Sequence, residues 1–182
     1  MNDYQQQFLD LYEPVHESFA RFCHARAYGL MEPEDLISES VLCALEKFGT
    51  LKNNEAFLSF IFSIATNILH KKNRRLKFRA DFHESEAFVI KDEGIDAATR
   101  LDVAILYDAL NELPKAQKEA VILFEISGFS IKEVAEIQKI KLSAAKQRLK
   151  RGREGLAAIF KSDQLKNESL DKKSSVLISI FL

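Results

Sequence analysis

The chain has 182 residues, of which 47% are hydrophobic and 29% charged, and its formal net charge is −1 at neutral pH. These proportions are typical of a folded globular protein and exclude a disordered chain or one that is basic overall. There is no run of about 20 apolar residues that would span a membrane, and the N-terminus lacks the pattern of a signal peptide. The composition predicts a cytoplasmic protein. Cys23 and Cys43 are interpreted as core thiols of a reducing compartment, with a disulfide or a zinc site that uses His24 as the alternative.

The first part of the chain carries apolar residues at three- and four-residue spacing, which predicts helices. Over residues 3–26 the pattern is interrupted by Pro14, so a break is expected near Glu13, with Pro14 opening the second helix. The next helix is expected from about Pro33, with an acidic first half that suits the helix dipole. Its predicted buried stripe contains Leu36, Ile37, Val41, Leu42, Leu45 and Phe48.

A polar turn at residues 49–54 precedes a third helix, which is expected over residues 55–75 and which Asn53 or Asn54 is placed to cap. This helix ends in a dense run of cations. One interpretation is a solvated helix end, where cations face the negative end of the helix dipole. The density of charge favours contact with phosphates instead. The cations are Lys71, Lys72, Arg74, Arg75, Lys77 and Arg79.

Two polar stretches flank the second half of the chain. Residues 80–100 are acidic and weakly periodic, which is typical of a linker between two domains. The tail, residues 161–182, begins polar and ends in the apolar run SSVLISIFL. The pattern leaves its role open between an added strand, a packed cover, a partner-binding or autoinhibitory segment, and a disordered end.

Residues 101–160 between these stretches predict a second helical domain. One helix is expected to end before Pro114, and Gly128 stands where a left-handed helix C-cap is needed. Ser130 followed by Glu133 three residues later is the sequence pattern of a capping box. Two short helical patterns separated by about four residues then follow, which is typical of a DNA-binding helix-turn-helix.

The second of these helices carries most of the chain's segregated positive charge. Seven cations occur in fifteen residues, with no acid before Glu154, and a merely solvated basic helix is the alternative to a DNA contact. A packed face of Ala145, Leu149, Gly152 and Leu156 is expected on a helical wheel. The seven cations are Lys139, Lys141, Lys146, Arg148, Lys150, Arg151 and Arg153.

Four features refine this prediction. Ser143 is expected to cap the helix and leave backbone N–H groups for a phosphate. Gln147 offers an amide to a base edge, among cations for the DNA backbone. Arg148 lies at the edge of the helix, where a phosphate contact and an ion pair with Glu133 are equally open. Ala135 is small where two crossing helices must approach closely.

Three stretches of the chain, two in its first half and one in its second, resemble the extracytoplasmic-function (ECF) sigma factors of bacterial RNA polymerase. LPKAQKEAVILFEISGFSIKEVAEIQKIKLSAAKQRLKRGREGL, from Leu113, resembles the promoter-binding region four of that family. EDLISES at residues 34–40 is similar to the acidic segment that docks on the polymerase, and AFLSFIFSIATNILHKKNRR at residues 56–75 is similar to the promoter-melting helix. The resemblance covers about residues 7–79 and 101–158.

Four positions depart from the family pattern, one of which is Ile61 in place of the usual Leu. Phe60 stands where the family usually has Trp, and Ala145 replaces the usual Val. Lys139 occupies a turn position that is usually Gly, which costs about 1 kcal/mol if the backbone there needs a positive φ.

The resemblance implies an all-α fold of two small helical domains. Sigma region two would span residues 1–79 and sigma region four residues 101–160, joined by the acidic linker at 80–100. The implied function is that of a sigma factor, which directs core RNA polymerase to specific promoters and initiates transcription. A stand-alone helix-turn-helix regulator is the alternative, and no catalysis, cofactor or metal is expected.

The resemblance also implies partners and residue roles. The partners are promoter DNA and core RNA polymerase, through the clamp helices of its largest subunit and the flap of its second subunit, and in many members an anti-sigma factor. The polymerase-binding residues are Glu34, Asp35, Leu36 and Glu39. The residues for the upstream (minus thirty-five) promoter element are Ser143, Lys146, Gln147, Arg148, Lys150, Arg151 and Arg153. The residues for the downstream (minus ten) element are Lys52, Asn53, Asn54, Phe57, Phe60, Asn67, Lys71, Lys72, Arg74 and Arg75.

Overall fold

The computed structural model describes residues 3–80 and 97–166, and these residues form helices and turns without any strand. None of the helices in these ranges is both long and apolar enough to cross a membrane. The α-helices are α1 (Asp3–Tyr12), α2 (His16–Ala27), α3 (Pro33–Lys47), α4 (Phe57–Ala80), α5 (Ala97–Glu112), α6 (Lys115–Val121), α7 (Ile131–Ile137) and α8 (Leu142–Lys166). Short 3-10 turns at Glu13–Val15, Phe48–Thr50 and Asn54–Ala56 and a π-helical turn at Ile122–Ile126 complete the described elements.

Proline sets the first helix boundaries. α1 ends at Tyr12, and Pro14 lies in the 3-10 turn that follows, because its ring removes the N–H that an α-helix would use. The predicted break near Glu13 is confirmed, although α2 begins at His16 rather than at Pro14. α3 begins at Pro33, as predicted.

Asn53 fixes the entry to α4. Its side-chain Oδ1 accepts a hydrogen bond from the backbone N–H of Glu55 at 2.9 Å, which caps the 3-10 turn leading into the helix. The predicted capping by Asn53 or Asn54 is therefore carried out by Asn53. The helix continues to Ala80, so the predicted linker falls mostly on residues 81–96, which lie outside the described residues.

The described residues form two compact units. The first contains residues 3–80 together with Ile122–Ile140, and the second contains residues 97–121 together with residues 141–166. We call Ile122–Ile140 the returning segment, because the chain comes back to the first unit there. The sequence-based domain limits follow chain order and stay a prediction.

Phenylalanine builds one side of the core of the first unit. The Phe8 ring lies 5.4 Å from that of Phe48 and 5.6 Å from that of Phe57, centroid to centroid, with steep interplanar angles in both pairs. Such edge-to-face pairs each contribute about 0.5–1.5 kcal/mol beyond the area they bury. This cluster joins α1 to the end of α3 and to the start of α4.

A second aromatic group holds the returning segment in the first unit. The Phe62 ring on α4 lies 4.7 Å from that of Phe22 on α2 and 5.2 Å from that of Phe129. Arg21 on α2 also donates a hydrogen bond from Nη2 to the carbonyl of Ser127 at 3.0 Å. The packing therefore combines apolar contact with a charge-assisted hydrogen bond.

Close backbone approach organises the second unit, where α8 packs on α6. Gly152 makes this possible, because a Cβ there would lie 2.5 Å from Cγ2 of Val121 and 3.2 Å from the carbonyl oxygen of Gln117. The predicted packed face of α8 is confirmed, since all four of its members are buried: Ala145, Leu149, Gly152 and Leu156.

Candidate nucleic-acid interface

The start of α7 is fixed by a capping box. The backbone N–H of Ser130 donates to Oε2 of Glu133 at 2.8 Å, and the backbone N–H of Glu133 donates to Oγ of Ser130 at 3.3 Å. Before it, Gly128 has φ +81°, a left-handed conformation that ends the preceding helical turn. Both predictions for this boundary are confirmed.

The turn between α7 and α8 carries backbone strain at Lys139. Its φ is 53°, in the left-handed region, and it has the only positive φ of any non-glycine residue in the described ranges. The local hydrogen bonds explain why this conformation persists: the N–H of Lys139 donates to the carbonyl of Glu136 and that of Ile140 to the carbonyl of Ala135. The sequence analysis expected a cost at Lys139 only if its backbone has a positive φ, and the structure shows that it does.

Replacement of Lys139 by Gly is expected to raise the free energy of unfolding by about 1 kcal/mol, because the Cβ that disfavours this conformation is removed. Lys139→Ala is the matched control, since it removes the charge and keeps the Cβ. Urea titration of the three proteins checks this. An equal gain in both variants would assign the effect to charge and refute the strain.

α8 presents a polar face above its buried face. Lys146, Gln147, Lys150 and Arg151 are exposed, whereas Arg148 and Arg153 are half-buried at its edges. Lys150 Nζ lies 3.8 Å from Oε1 of Glu154, but both side chains are largely exposed, so this pair contributes little to stability and leaves the lysine accessible. The sequence-predicted residues thus lie on one exposed or half-exposed surface.

The predicted capping role of Ser143 is wrong. α8 begins at Leu142, and the carbonyl of Lys141 accepts from the N–H groups of Ala144 and Ala145, so Lys141 occupies the cap position. Ser143 instead lies exposed in the first turn, where first-turn N–H groups have no helical partner.

The cations of α4 form the second predicted set. Lys71, Lys72, Arg74 and Arg75 are exposed in the described part of the helix, while the side chains of Lys77 and Arg79 lie outside it. Lys52 is also exposed, in the turn before the helix. The side chains of α4 therefore offer a polyanion a row of accessible positive charge.

The aromatic and amide residues of this set have different environments. Phe57 is only 3% exposed and belongs to the core, whereas Phe60, with its ring 6.5 Å from that of Phe57, is half-buried and reaches the surface. Asn53 uses both ends of its amide on Glu55, as the acceptor in the cap and as the donor to Oε2 at 3.1 Å. Asn54 is exposed and is not engaged in that cap.

The acidic predicted set lies on α3. Glu34, Asp35 and Glu39 are exposed, with Oε1 of Glu34 3.9 Å from Nε2 of His24. Leu36 is fully buried and supports the helix from inside. Of the four residues predicted to bind the polymerase, the three acids are therefore at the surface and Leu36 is in the core.

The prediction that Leu42 is buried is wrong: it is 62% exposed. It follows Asp35 by seven residues and Glu39 by three, a spacing that puts all three side chains on one face of a helix. The sequence analysis missed it because all leucine, isoleucine and valine residues of the helix were assigned to one buried stripe. The spacing of Leu42 from Asp35 and Glu39 could have indicated that its side chain shares their exposed face. We call Asp35, Glu39 and Leu42 the acidic face.

The two cysteines are free thiols in different environments. Cys23 is fully buried, and burial raises the pKa of its thiol well above the usual range. Cys43 on α3 is half-buried. In the described part of the chain, no group of three or more His, Cys, Asp or Glu side chains is arranged to hold a metal ion.

A helical chain with a capping box at the start of α7, a basic face on the following helix α8 and a second basic helix, α4, belongs to the class of DNA-binding proteins. Comparisons with known proteins agree. Residues 104–156 match the family model described as Sigma-70, region 4. The ECF RNA polymerase sigma factor SigW of Bacillus subtilis is 25% identical over 84% of this chain and 88% of its own length. EcfG of Rhodopseudomonas palustris, also an ECF RNA polymerase sigma factor, is 31% identical over 71% of this chain and 72% of its own length.

Solved structures show the same fold. CnrH in complex with the cytosolic domain of CnrY matches with a TM-score of 0.63 and 22% identity, over 87% of this chain and 90% of that one. RpoE of Bartonella quintana in complex with the anti-sigma factor NepR matches with a TM-score of 0.62 and 22% identity, over 90% of this chain and 99% of that one.

The chain belongs to the ECF sigma factors of RNA polymerase, and the function predicted from the sequence, promoter-specific initiation of transcription, is confirmed with it. The predicted fold class, all-α with two helical domains, is confirmed as well.

Proposed function

We propose that three surfaces divide the work of this sigma factor. The acidic face of α3 binds core RNA polymerase, α4 with the turn before it engages the downstream promoter element, and α8 reads the upstream element. The chain performs no catalysis of its own and acts in the cytoplasm. The observation that carries this proposal is the exposed polar face of α8 above a fully buried apolar face.

The chemistry of α8 supports a major-groove role. Gln147 is an exposed amide between exposed cations, and an amide is suited to the paired donor and acceptor of an adenine edge. Lys146, Lys150 and Arg151 supply positive charge on both sides of it. Phosphate contacts would fix the position of the helix, while Gln147 would add sequence preference.

The downstream role rests on a different chemistry, because a melted promoter offers unpaired bases. Phe60 is the aromatic side chain of this set that reaches the surface, and stacking on an aromatic ring is worth about 1–3 kcal/mol per base. Phe57 would support Phe60 from the core. Since Asn53 serves as the cap, Asn54 is the amide we assign to an extruded base.

The polymerase contact is assigned to the acidic face. Its two carboxylates are exposed, and the exposed Leu42, three residues after Glu39, adds an apolar contact beside them. Protein–protein contacts commonly combine apolar and charged side chains in this way.

The double variant Asp35→Ala with Glu39→Ala is expected to weaken binding to purified core polymerase by about tenfold, with a smaller dependence on salt, because two steering charges are lost. Titration of fluorescently labelled protein with core polymerase measures this. The control is Asp10→Ala with Glu13→Ala, which removes the same charge from exposed positions near α1. Equal affinities for the two double variants would count against the acidic face.

We extend the partners to the flap of the second polymerase subunit and to an anti-sigma factor. The second extension is supported by RpoE of Bartonella quintana, whose structure contains the anti-sigma factor NepR. That an anti-sigma factor also binds this chain is a proposal about its regulation and does not concern the promoter contacts.

Promoter-specific transcription tests the proposed function as a whole. Core polymerase with this protein should start transcripts at one position on a cognate promoter and should start none without the protein. A stand-alone helix-turn-helix regulator would bind its operator equally well without polymerase and would not confer initiation. That result would refute the proposed division of work.

A further inference from the structure

α5 presents an apolar surface that the described residues leave exposed. Leu101 is 61% exposed and Ile105, one helical turn later, is 40% exposed. The helix is held in the second unit by a different side, where Ala109, Leu110 and Leu113 are buried. A single exposed leucine is ordinary, but two large apolar side chains four residues apart form one continuous contact surface.

The same side of α5 continues into two acids. Asp108 and Glu112 are exposed and follow Ile105 by three and seven residues, a spacing that places them on its side of the helix. We call Leu101, Ile105, Asp108 and Glu112 the α5 stripe. It is apolar toward the start of the helix and negative toward the end, so a segment that fits it carries apolar residues next to positive charge.

Residues 167–182, which follow α8 and lie outside the described residues, have that composition. Lys172 and Lys173 stand directly before residues 174–182, SSVLISIFL, of which six are apolar and none is charged. An uncharged apolar run of this kind promotes association between chains unless it is covered. The segment at residues 81–96, on the other side of α5, also contains apolar residues, but its excess of acids has the same sign as the acids of the stripe.

The direction of α8 brings residues 167–182 toward α5. A Cβ at Gly152 would contact Val121 of α6, whereas one at Gly155 would contact Leu113, which directly follows α5. As α8 proceeds, its neighbours therefore occur earlier in the chain. The 16 residues after Lys166 span up to about 50 Å when extended, whereas α5, also of 16 residues, is about 24 Å long. The segment is long enough to reach the whole stripe.

We infer that residues 174–182 pack on the α5 stripe of the same chain, with their apolar side chains over its apolar half and the preceding lysine pair beside its acids. The inference is independent of the roles proposed for α3, α4 and α8. Because the segment and the stripe belong to one chain, the effective concentration is on the order of millimolar, and a weak contact is enough. The segment withholds the stripe from other partners, which bind there only by displacing it.

Cleavage by chymotrypsin measures this contact in the protein alone, because the enzyme cuts after the Leu and Phe residues of a released segment. The variant Leu101→Ser with Ile105→Ser is expected to speed cleavage within residues 174–182 about tenfold, since the rate follows the population of the released segment. The control is Leu42→Ser with Leu142→Ser, which removes two exposed leucines from other helices and should leave the rate unchanged. Mass spectrometry locates the cuts, and circular dichroism checks that helix content is kept.

Three results would overturn the inference. Equal cleavage rates in the unmodified chain and in the α5 variant would place residues 174–182 elsewhere. Equal acceleration in the control variant would assign the effect to a general loss of apolar surface. Protection that disappears on dilution of the protein would assign the cover to a second copy of the chain.

A charge exchange tests the acidic half of the stripe. Lys172→Glu with Lys173→Glu should speed cleavage, and more so at low salt, because salt screens exposed charges. Adding Asp108→Lys with Glu112→Lys to that variant restores opposite charges and should return the rate toward that of the unmodified chain. Cleavage that stays fast after this exchange would separate the lysine pair from α5 and refute the proposed contact.

Discussion

Lys146→Ala combined with Arg151→Ala abolishes binding of this sigma factor to duplex DNA of the upstream element, if α8 lies in the major groove. Both side chains are exposed on one helix. At about 1.5 kcal/mol for each charge-assisted contact, the loss in affinity exceeds about 100-fold. The salt slope of the affinity should also fall by about 1.8, since each phosphate contact contributes about 0.9.

Anisotropy titrations with a labelled duplex at several salt concentrations measure both quantities. Helix content and the urea midpoint should stay unchanged, because neither side chain belongs to the buried face of α8. Lys161→Ala, on the same helix, measures the general effect of losing one charge, and twice that effect is subtracted from the loss in the double variant. Full affinity in the double variant would rule out the groove assignment for α8.

Gly152→Ala is expected to destabilise the protein by about 2 kcal/mol, although alanine favours a helix by about 1 kcal/mol over glycine. The new Cβ would lie 2.5 Å from Cγ2 of Val121 and 3.2 Å from the carbonyl oxygen of Gln117. Val121 is β-branched and fully buried, and the carbonyl belongs to the backbone of α6, so neither neighbour can yield without moving that helix.

Gly155→Ala is the control for this prediction. Its Cβ would lie 2.6 Å from Cδ2 of Leu113, the far end of a flexible side chain that can rotate away. The gain in helix propensity should then leave the free energy of unfolding near or above that of the unchanged protein. Urea unfolding of both variants measures this, and equal destabilisation would refute the close approach of α6 and α8 at Gly152.

Local boundaries were predictable where one residue type imposes them. Pro14 ends a helix because it lacks an N–H, and Gly128 accepts a left-handed φ at little cost. Ser130 and Glu133 formed the predicted capping box because both partners lie within one turn. The capping prediction for Ser143 was wrong by two residues, because Lys141 occupies the cap position. The local sequence is compatible with either start of the helix.

The site was predictable in its charges and less so in its geometry. The cations of α8 and α4 and the acids of α3 were named from the sequence, and the structure exposes or half-exposes them wherever it describes their side chains. Apolar members were assigned less well, since Leu36 and Phe57 are buried and Leu42 is exposed. Charge is expelled from any core, whereas an apolar residue is buried or exposed according to its neighbours.

The sequence by itself determined the family, the helical fold class and the two basic helices, because these depend on periodicity and motifs within short stretches. Only the tertiary structure decided that Ile122–Ile140 packs with residues 3–80, and that Lys47 and Cys43 of α3 share a groove with α4. Both depend on contacts between residues far apart in the chain. Periodicity marks which face of a helix is buried, but the neighbour that covers it is selected by the packing of the whole core.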